Sequence, residues 1–261
     1  MSSLRIERDG EILRVTLARP ERRNAFDAAL IGELREAFSD VGDARAVVLA
    51  GEGPSFCAGA DVEWQRSSID LSFDENVEDA LRLYRMLEAV DSCPAPVVAR
   101  VQGHALGGGS GLVACADIAV AAPDAVFGFT EVRLGIIPAV ISPFVLGKIG
   151  AAARHYFLTG ERFDAPTALR IGLVHEIAAE PDAAVNRLVG ELLRSGPEAT
   201  RAAKRLVRER PADGEELARI AAGLRAGAEG QEGLRAFLER RPAVTPDGVS
   251  WGVYERPRDI R

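Results

Sequence analysis

This chain of 261 residues is poor in the residues that metal and redox chemistry use, with three cysteines and three histidines. Cys57, Cys93 and Cys115 show no metal-ligand spacing, and an odd number cannot pair completely, so a reducing, cytoplasmic setting is expected. No HExxH motif accompanies the histidines, and no metal site is expected. No stretch approaches the roughly 18–20 apolar residues that would cross a bilayer. The first residues, MSSLRIERDGE, lack a hydrophobic leader, so neither a membrane span nor a secretory signal is expected. Basic charge is short as well: 32 Lys and Arg against 39 Asp and Glu leave a net charge of −7, which argues against a nucleic-acid partner. It leaves room for a phosphate-bearing small molecule, which a few arginines can hold. The glycine-rich GHALGGGSG at 103–111 lacks the GxGxxG spacing of a dinucleotide fold, and GKIG at 147–150 lacks the rest of a P-loop.

What is present is a repeated order of apolar strand, glycine-rich turn and helix. Leu4 and Ile6, then Ile12, Val15 and Leu17, flank the turn signal Asp9-Gly10 and predict a hairpin that Pro20 ends. Asp27 can cap a helix with Leu30, Ile31, Leu34 and Phe38 on its apolar face. Ala46–Ala50 and Val97–Val101 are short apolar strands of the kind buried on both faces, and Asp117–Val120 is a third. A glycine-rich turn follows each of the first two, at 51–61 and at 103–111. Residues 62–79 are polar and weakly periodic, which predicts a mobile surface segment turning helical near its end. Leu81, Tyr84, Leu87 and Val90 mark the next amphipathic helix. The order implies parallel strands with helical crossovers, an α/β core over residues 1–195. From about residue 196 Ala-, Arg-, Leu- and Glu-rich stretches predict three helices, at 197–209, 213–226 and 229–240, in a helical C-terminal region over 196–261 whose apolar faces need something to pack on.

A strand that ends in a glycine-rich turn ahead of a helix leaves N–H groups free at the helix start, where developing negative charge is favoured. Two such turns in one chain can aim donors at a single oxygen. The alternative is that Gly59 and Gly107–Gly109 merely permit tight crossovers in an α/β core.

SFCAGAD at 55–61, VQGHALGGGSGL at 101–112, FGFTEVRLGIIPA at 127–139 and the LTG…IGLV run at 158–174 together resemble the enoyl-CoA hydratase/isomerase (crotonase) family, over about residues 12–178. The resemblance implies a spiral of repeated β-β-α units with a helical C-terminal region. It also implies an enzyme acting on an acyl-CoA thioester with no prosthetic group, coenzyme A being part of the substrate. The thioester oxygen would be held by the N–H groups of Ala60 and Gly108, one from each turn. Glu131 would move the proton, and an apolar surround of Phe127, Phe129, Val132 and Leu134 would raise its pKa. The coenzyme would run beside Ala58 and Asp61, with Arg22 or Arg23 meeting its phosphates. Each of these side chains has a plainer reading: Glu131 as a surface partner of Arg133, the arginines as solvated charge.

One departure bears on the reaction. Family hydratases carry a second glutamate three residues after the oxyanion glycine, where this chain has Gly111. A hydratase in its usual form uses two carboxylates, whereas a double-bond isomerase needs one. Against the isomerase stands PAVISPFV at 138–145, which with Gly111 resembles a branch of methylglutaconyl-CoA or isohexenylglutaconyl-CoA hydratases. No carboxylate stands at Ala139, where a dehalogenase branch has its nucleophile. Hydration of a 2-enoyl-CoA, delta-3 to delta-2 isomerisation, and binding by a fold that has lost catalysis are the three readings. Hydration is preferred, with an acyl-CoA as partner and assembly as a trimer or a dimer of trimers implied by the family. His104 is expected to serve structure. Trp64, Phe73, Met86, Leu87, Ile137, Val140 and Phe144 are candidates to line the acyl pocket, or plain core.

Overall fold

Alternation of apolar and polar residues makes residues 4–17 an edge hairpin. In the computed structural model, which describes residues 2–252, β1 (Leu4–Asp9) pairs antiparallel with β2 (Ile12–Leu17), with Leu13, Val15 and Leu17 turned into the core. Asp27 then starts α1 (Ala28–Ser39) by accepting the Leu30 N–H at 2.8 Å, and Leu30, Ile31, Leu34 and Phe38 are buried along one side. The continuously apolar β3 (Ala46–Gly51) lies parallel to β2. After it come α2 (Val62–Ser67), α3 (Phe73–Asp91) and β4 (Val97–Val101), which lies parallel to β3.

The expected mobile segment at 62–79 is therefore mostly helical. Its start signal is a capping box: Ser72 Oγ accepts the Glu75 N–H while the Glu75 carboxylate accepts the Ser72 N–H at 2.8 Å. The cap sets the helix eight residues before the apolar stripe becomes visible at Leu81.

β5 (His104–Leu106) interrupts what the sequence presents as one long glycine turn and leads into α4 (Gly108–Cys115). β6 (Ile118–Ala121) rejoins the main sheet beside β4. β7 (Val126–Gly128) pairs parallel with β5, and then come α5 (Ser142–Ile149) and α6 (Ala153–Thr159). β8 (Arg162–Asp164) pairs antiparallel with β7 and is followed by α7 (Ala165–Arg170). β9 (Glu176–Ile177) closes the main sheet, which α8 (Pro181–Leu193) covers. The main sheet runs β1-β2-β3-β4-β6-β9, and β5-β7-β8 form a second, smaller sheet. These are the repeated β-β-α units that were expected; the larger apolar core, from Leu4 to Val174, fills one side of the main sheet, and a smaller one lies between its other face and α8.

The C-terminal helices fall within a residue of their expected bounds: α9 (Pro197–Glu209), α10 (Gly214–Ala226) and α11 (Ala228–Glu239). A small hairpin of β10 (Ala243–Val244) and β11 (Ser250–Trp251) packs on α11. The last nine residues of the 196–261 region lie outside the described residues. Among the described residues no helix is long and apolar enough to cross a membrane.

Candidate active site

The first glycine turn is held from both sides. Phe26 forms a parallel bridge to Ala60: its N–H donates to Gly59 O at 2.7 Å, and its carbonyl accepts the Asp61 N–H at 2.8 Å. In such a bridge the middle residue of the partner turns its own N–H to the opposite side. The Ala60 N–H is thus left without an acceptor among the described residues. Upstream, the fully buried Asn24 fastens the approach. Its amide donates to Glu52 O and Ser55 O, both at 2.9 Å, and its carbonyl oxygen accepts the Arg19 N–H at 2.9 Å.

The second turn is stitched to the first. Cys57 bridges Ala105, donating to His104 O and accepting from the Leu106 N–H, both at 3.0 Å. Gly59 takes a φ of +93°, and a Cβ there would lie 2.8 Å from Leu106 O; a Cβ on Gly109 would lie 2.3 Å from Cys57 O. These approaches admit only glycine, so the glycines do permit tight crossovers, and the same packing sets the two helix starts side by side. Gly108 is the first residue of α4, so its N–H points out of the helix end unbonded. Ser110 has a structural task, its hydroxyl donating to Ala105 O at 2.5 Å.

Glu131 opens a short 3-10 turn, Glu131–Leu134, after β7. Its Oε1 lies 3.2 Å from where a Cβ on Gly107 would be, beside the Gly108 donor. Its Oε2 is buried without a hydrogen-bond partner. Burial pushes its pKa up, only partly offset by a bond from its own backbone. No ion pair to Arg133 forms, so the reading as a surface pair fails. Position 111 is closed to a second carboxylate: a Cβ there would lie 2.6 Å from Cγ2 of the buried Ile141.

Ala60, Gly108 and Glu131 line one cavity of about 440 Å³. A larger one, of about 760 Å³ between α3, α5 and α9, holds none of the three; size does not pick the site, chemistry does. Of the pocket candidates, Trp64, Ile137 and Val140 line the cavity. Met86 and Leu87 are plain core, Phe73 points to solvent, and Phe144 packs on Tyr84 at the larger cavity. Sequence reasoning missed Asp79, which accepts the Trp64 indole N–H at 3.3 Å, and Arg162, both of which line the cavity.

Of the residues expected near the coenzyme, Ala58 lines the cavity. Arg22 and Arg23 are exposed and, among the described residues, neither guanidinium has a partner. Asp61 departs from expectation. Its carboxylate is buried and engaged, capping α2 through the Glu63 N–H at 2.9 Å and pairing with Arg19 at 3.1 Å. Its backbone is engaged as well, the N–H donating to Phe26 O and the carbonyl accepting the Gln65 N–H at 2.9 Å. His104 bridges the turns through its backbone and does not line the cavity. Among the described residues no group of three or more His, Cys, Asp or Glu side chains is placed to hold a metal ion.

The sequence matches the family model described as enoyl-CoA hydratase/isomerase over residues 7–247. It is 34% identical to a cyclohexa-1,5-dienecarbonyl-CoA hydratase of Thauera aromatica, over 91% of this chain and 94% of that one. The fold superposes on the crystal structure of an enoyl-CoA hydratase from Shewanella pealeana with a TM-score of 0.88 at 38% identity, covering 92% and 94% of the two chains. It superposes on AtuE of Pseudomonas aeruginosa with a TM-score of 0.86 at 40% identity, covering 92% and 97%.

Proposed function

Because the chain belongs to the enoyl-CoA hydratase/isomerase family, and so acts on CoA thioesters, we propose that its reaction is the reversible hydration of a 2-enoyl-CoA. The observation that carries this reading is the meeting, around one cavity, of two unbonded N–H groups and a partnerless carboxylate oxygen. The thioester oxygen sits between the Ala60 and Gly108 donors. As the water oxygen bonds to C3, Glu131 takes the water's proton and the C2–C3 π pair moves toward the thioester, forming the enolate. Glu131 then gives the proton to C2. One donor of this kind is typically worth roughly 3–4 kcal/mol to the barrier. The raised pKa of Glu131 suits a group that must both take and return a proton near neutrality.

Isomerisation is the second reading, supported by Ile141 filling the space beside Gly111. Glu131 would then carry one proton between two carbons. The test is turnover of crotonyl-CoA, 3-methylglutaconyl-CoA and a 3-enoyl-CoA with mass analysis of the products. Gain of one water supports hydration; a mass-neutral shift of the double bond with no gain supports isomerisation. Glu131→Gln is expected to lower either activity about 10²- to 10⁴-fold, and full activity in that variant would remove Glu131 from the reaction.

The branched, carboxylated acyl group of a methylglutaconyl-type substrate is the finer part of this proposal. Its support is Arg162, the cation among the cavity-lining residues, whose guanidinium has no partner among the described residues. Arg22 and Arg23 are proposed to meet the coenzyme phosphates, beside the backbone of Ala58 and Asp61. We further propose a cytoplasmic trimer or dimer of trimers. Residues 1–195 would form the catalytic core and the helical region at 196–261 would take part in assembly. The exposed Leu234, Phe237 and Leu238 on α11 support that role. Light scattering should return three or six times the 27.9 kDa chain mass, and a monomer would remove this part.

A further inference from the structure

We propose that Phe26 is a positioning residue that sets the spacing between the two oxyanion donors, an inference that rests on the oxyanion reading above. Phe26 touches both donor segments from outside them. Through its backbone it grips both neighbours of Ala60, at Gly59 O and at the Asp61 N–H. Through its ring it backs the other donor: Cε2 and Cδ2 lie 3.0 and 3.2 Å from where a Cβ on Gly108 would be. The side chain is fully buried and rigid, so the ring acts as a fixed strut between a strand-like segment and a helix start.

The strut is itself braced. Arg19 donates to Ala25 O at 2.7 Å, pairs with Asp27 at 2.8 Å and pairs with Asp61 at 3.1 Å. Those two aspartates cap α1 and α2, the helices that leave from either end of the bridge. Segment 25–27 therefore cannot drift from segment 59–61 without breaking charged hydrogen bonds in a half-buried place. Two donors act together only when both reach the same oxygen, and a displacement near 1 Å can cost on the order of 100-fold in rate.

The test uses the full chain and butyryl-CoA labelled with ¹³C at the thioester carbonyl, a saturated ligand that neither hydrates nor isomerises. Isotope-edited infrared spectroscopy reads how far the bound carbonyl is polarised. The expected result is a downshift in the wild type that is largely lost in Phe26→Leu, with kcat on the enoyl substrate about 10- to 100-fold lower and KM little changed. Phe38→Leu, at another buried phenylalanine of the same core, is the control: it should lose thermal stability yet keep the downshift. Should Phe26→Leu fail to fold, Phe26→Met fills the volume without the rigid ring and is judged by the same two readouts. An undiminished downshift and kcat in the Phe26 variant overturns the strut, as does an equal loss in Phe38→Leu. A wild type that shows no downshift removes the oxyanion reading itself, and the strut with it.

Discussion

The floor of the 440 Å³ cavity, residues 58–60 and 106–108, is made largely of backbone, whereas its facing walls, within 64–83 and 134–141, are made of side chains. Just behind that floor the chain approaches itself so closely that a methyl group at Gly109 would sit 2.3 Å from a carbonyl oxygen. On the walls Leu134 and Ile137 are 64% and 70% exposed and touch little of the core. Main-chain donors are altered only by a change that moves the backbone, an intruding Cβ or a lost support such as the Phe26 ring, so the charge-stabilising part is fixed by the packing of the fold. The walls can change residue by residue without disturbing it. Chemistry and acyl selectivity are therefore held in separable parts of the molecule.

The comparison is broken most severely from the floor. Gly109→Ala drives a Cβ into Cys57 O, and neither atom can rotate away. A loss of about 3 kcal/mol or more is expected in denaturant unfolding, together with activity; a variant of native stability would show the floor to be looser than described. Where floor meets wall the effect is smaller and correctable. Gly111→Ala meets Ile141 Cγ2 at 2.6 Å and should cost about 1–3 kcal/mol. Adding Ile141→Ala removes the offending Cγ2, so the double variant should be more stable than the sum of the two singles. Strict additivity would show that the two residues do not share that space.

Glu131 tests the same boundary by pH. Its folded-state pKa is raised by burial, so the native protein holds this proton more tightly than the unfolded chain does. The group therefore favours the fold at low pH, and that contribution is lost as pH rises from the ordinary carboxylate range through the raised value. Glu131→Gln should accordingly be more stable than wild type at neutral pH, with the difference closing below the ordinary carboxylate pKa. A variant less stable at neutral pH would contradict burial as the cause of the shift. The smallest change is expected on the wall. Ile137→Ala should alter stability by only about 0.5 kcal/mol, within the range of exposed positions, and should raise KM for long acyl chains while leaving crotonyl-CoA turnover unchanged. An equal effect on both chain lengths would place Ile137 elsewhere than on the acyl path.

The elements legible in the sequence were those whose signals are local. The Asp9-Gly10 hairpin, the Asp27 cap, the short apolar strands and the three C-terminal helices stand close to their expected positions. The α2–α3 segment was not legible because its face toward the cavity is polar, with Gln65, Ser68, Asn76 and Asp79. Without an apolar stripe, only the Ser72–Glu75 box marks the helix start. The glycine turns and Glu131 were legible as a motif, and the structure brings them to one cavity. The pairing of Asp61 with Arg19 and the double contact of Phe26 were not, since each joins residues more than 30 positions apart in the chain. Nor does sequence show that Ile141 closes position 111, because that depends on where α5 begins relative to α4.

Asn24 carries a consequence for the ageing of the protein. Its amide nitrogen faces two carbonyl oxygens, and its own oxygen faces an N–H. Deamidation would replace that nitrogen with oxygen at almost no change in volume, yet set a carboxylate against two acceptors in a place water does not reach. The site would reject by polarity a residue that fits it by shape. A chain damaged at this single atom loses the fastening beneath its first donor while every apolar contact of the core remains available.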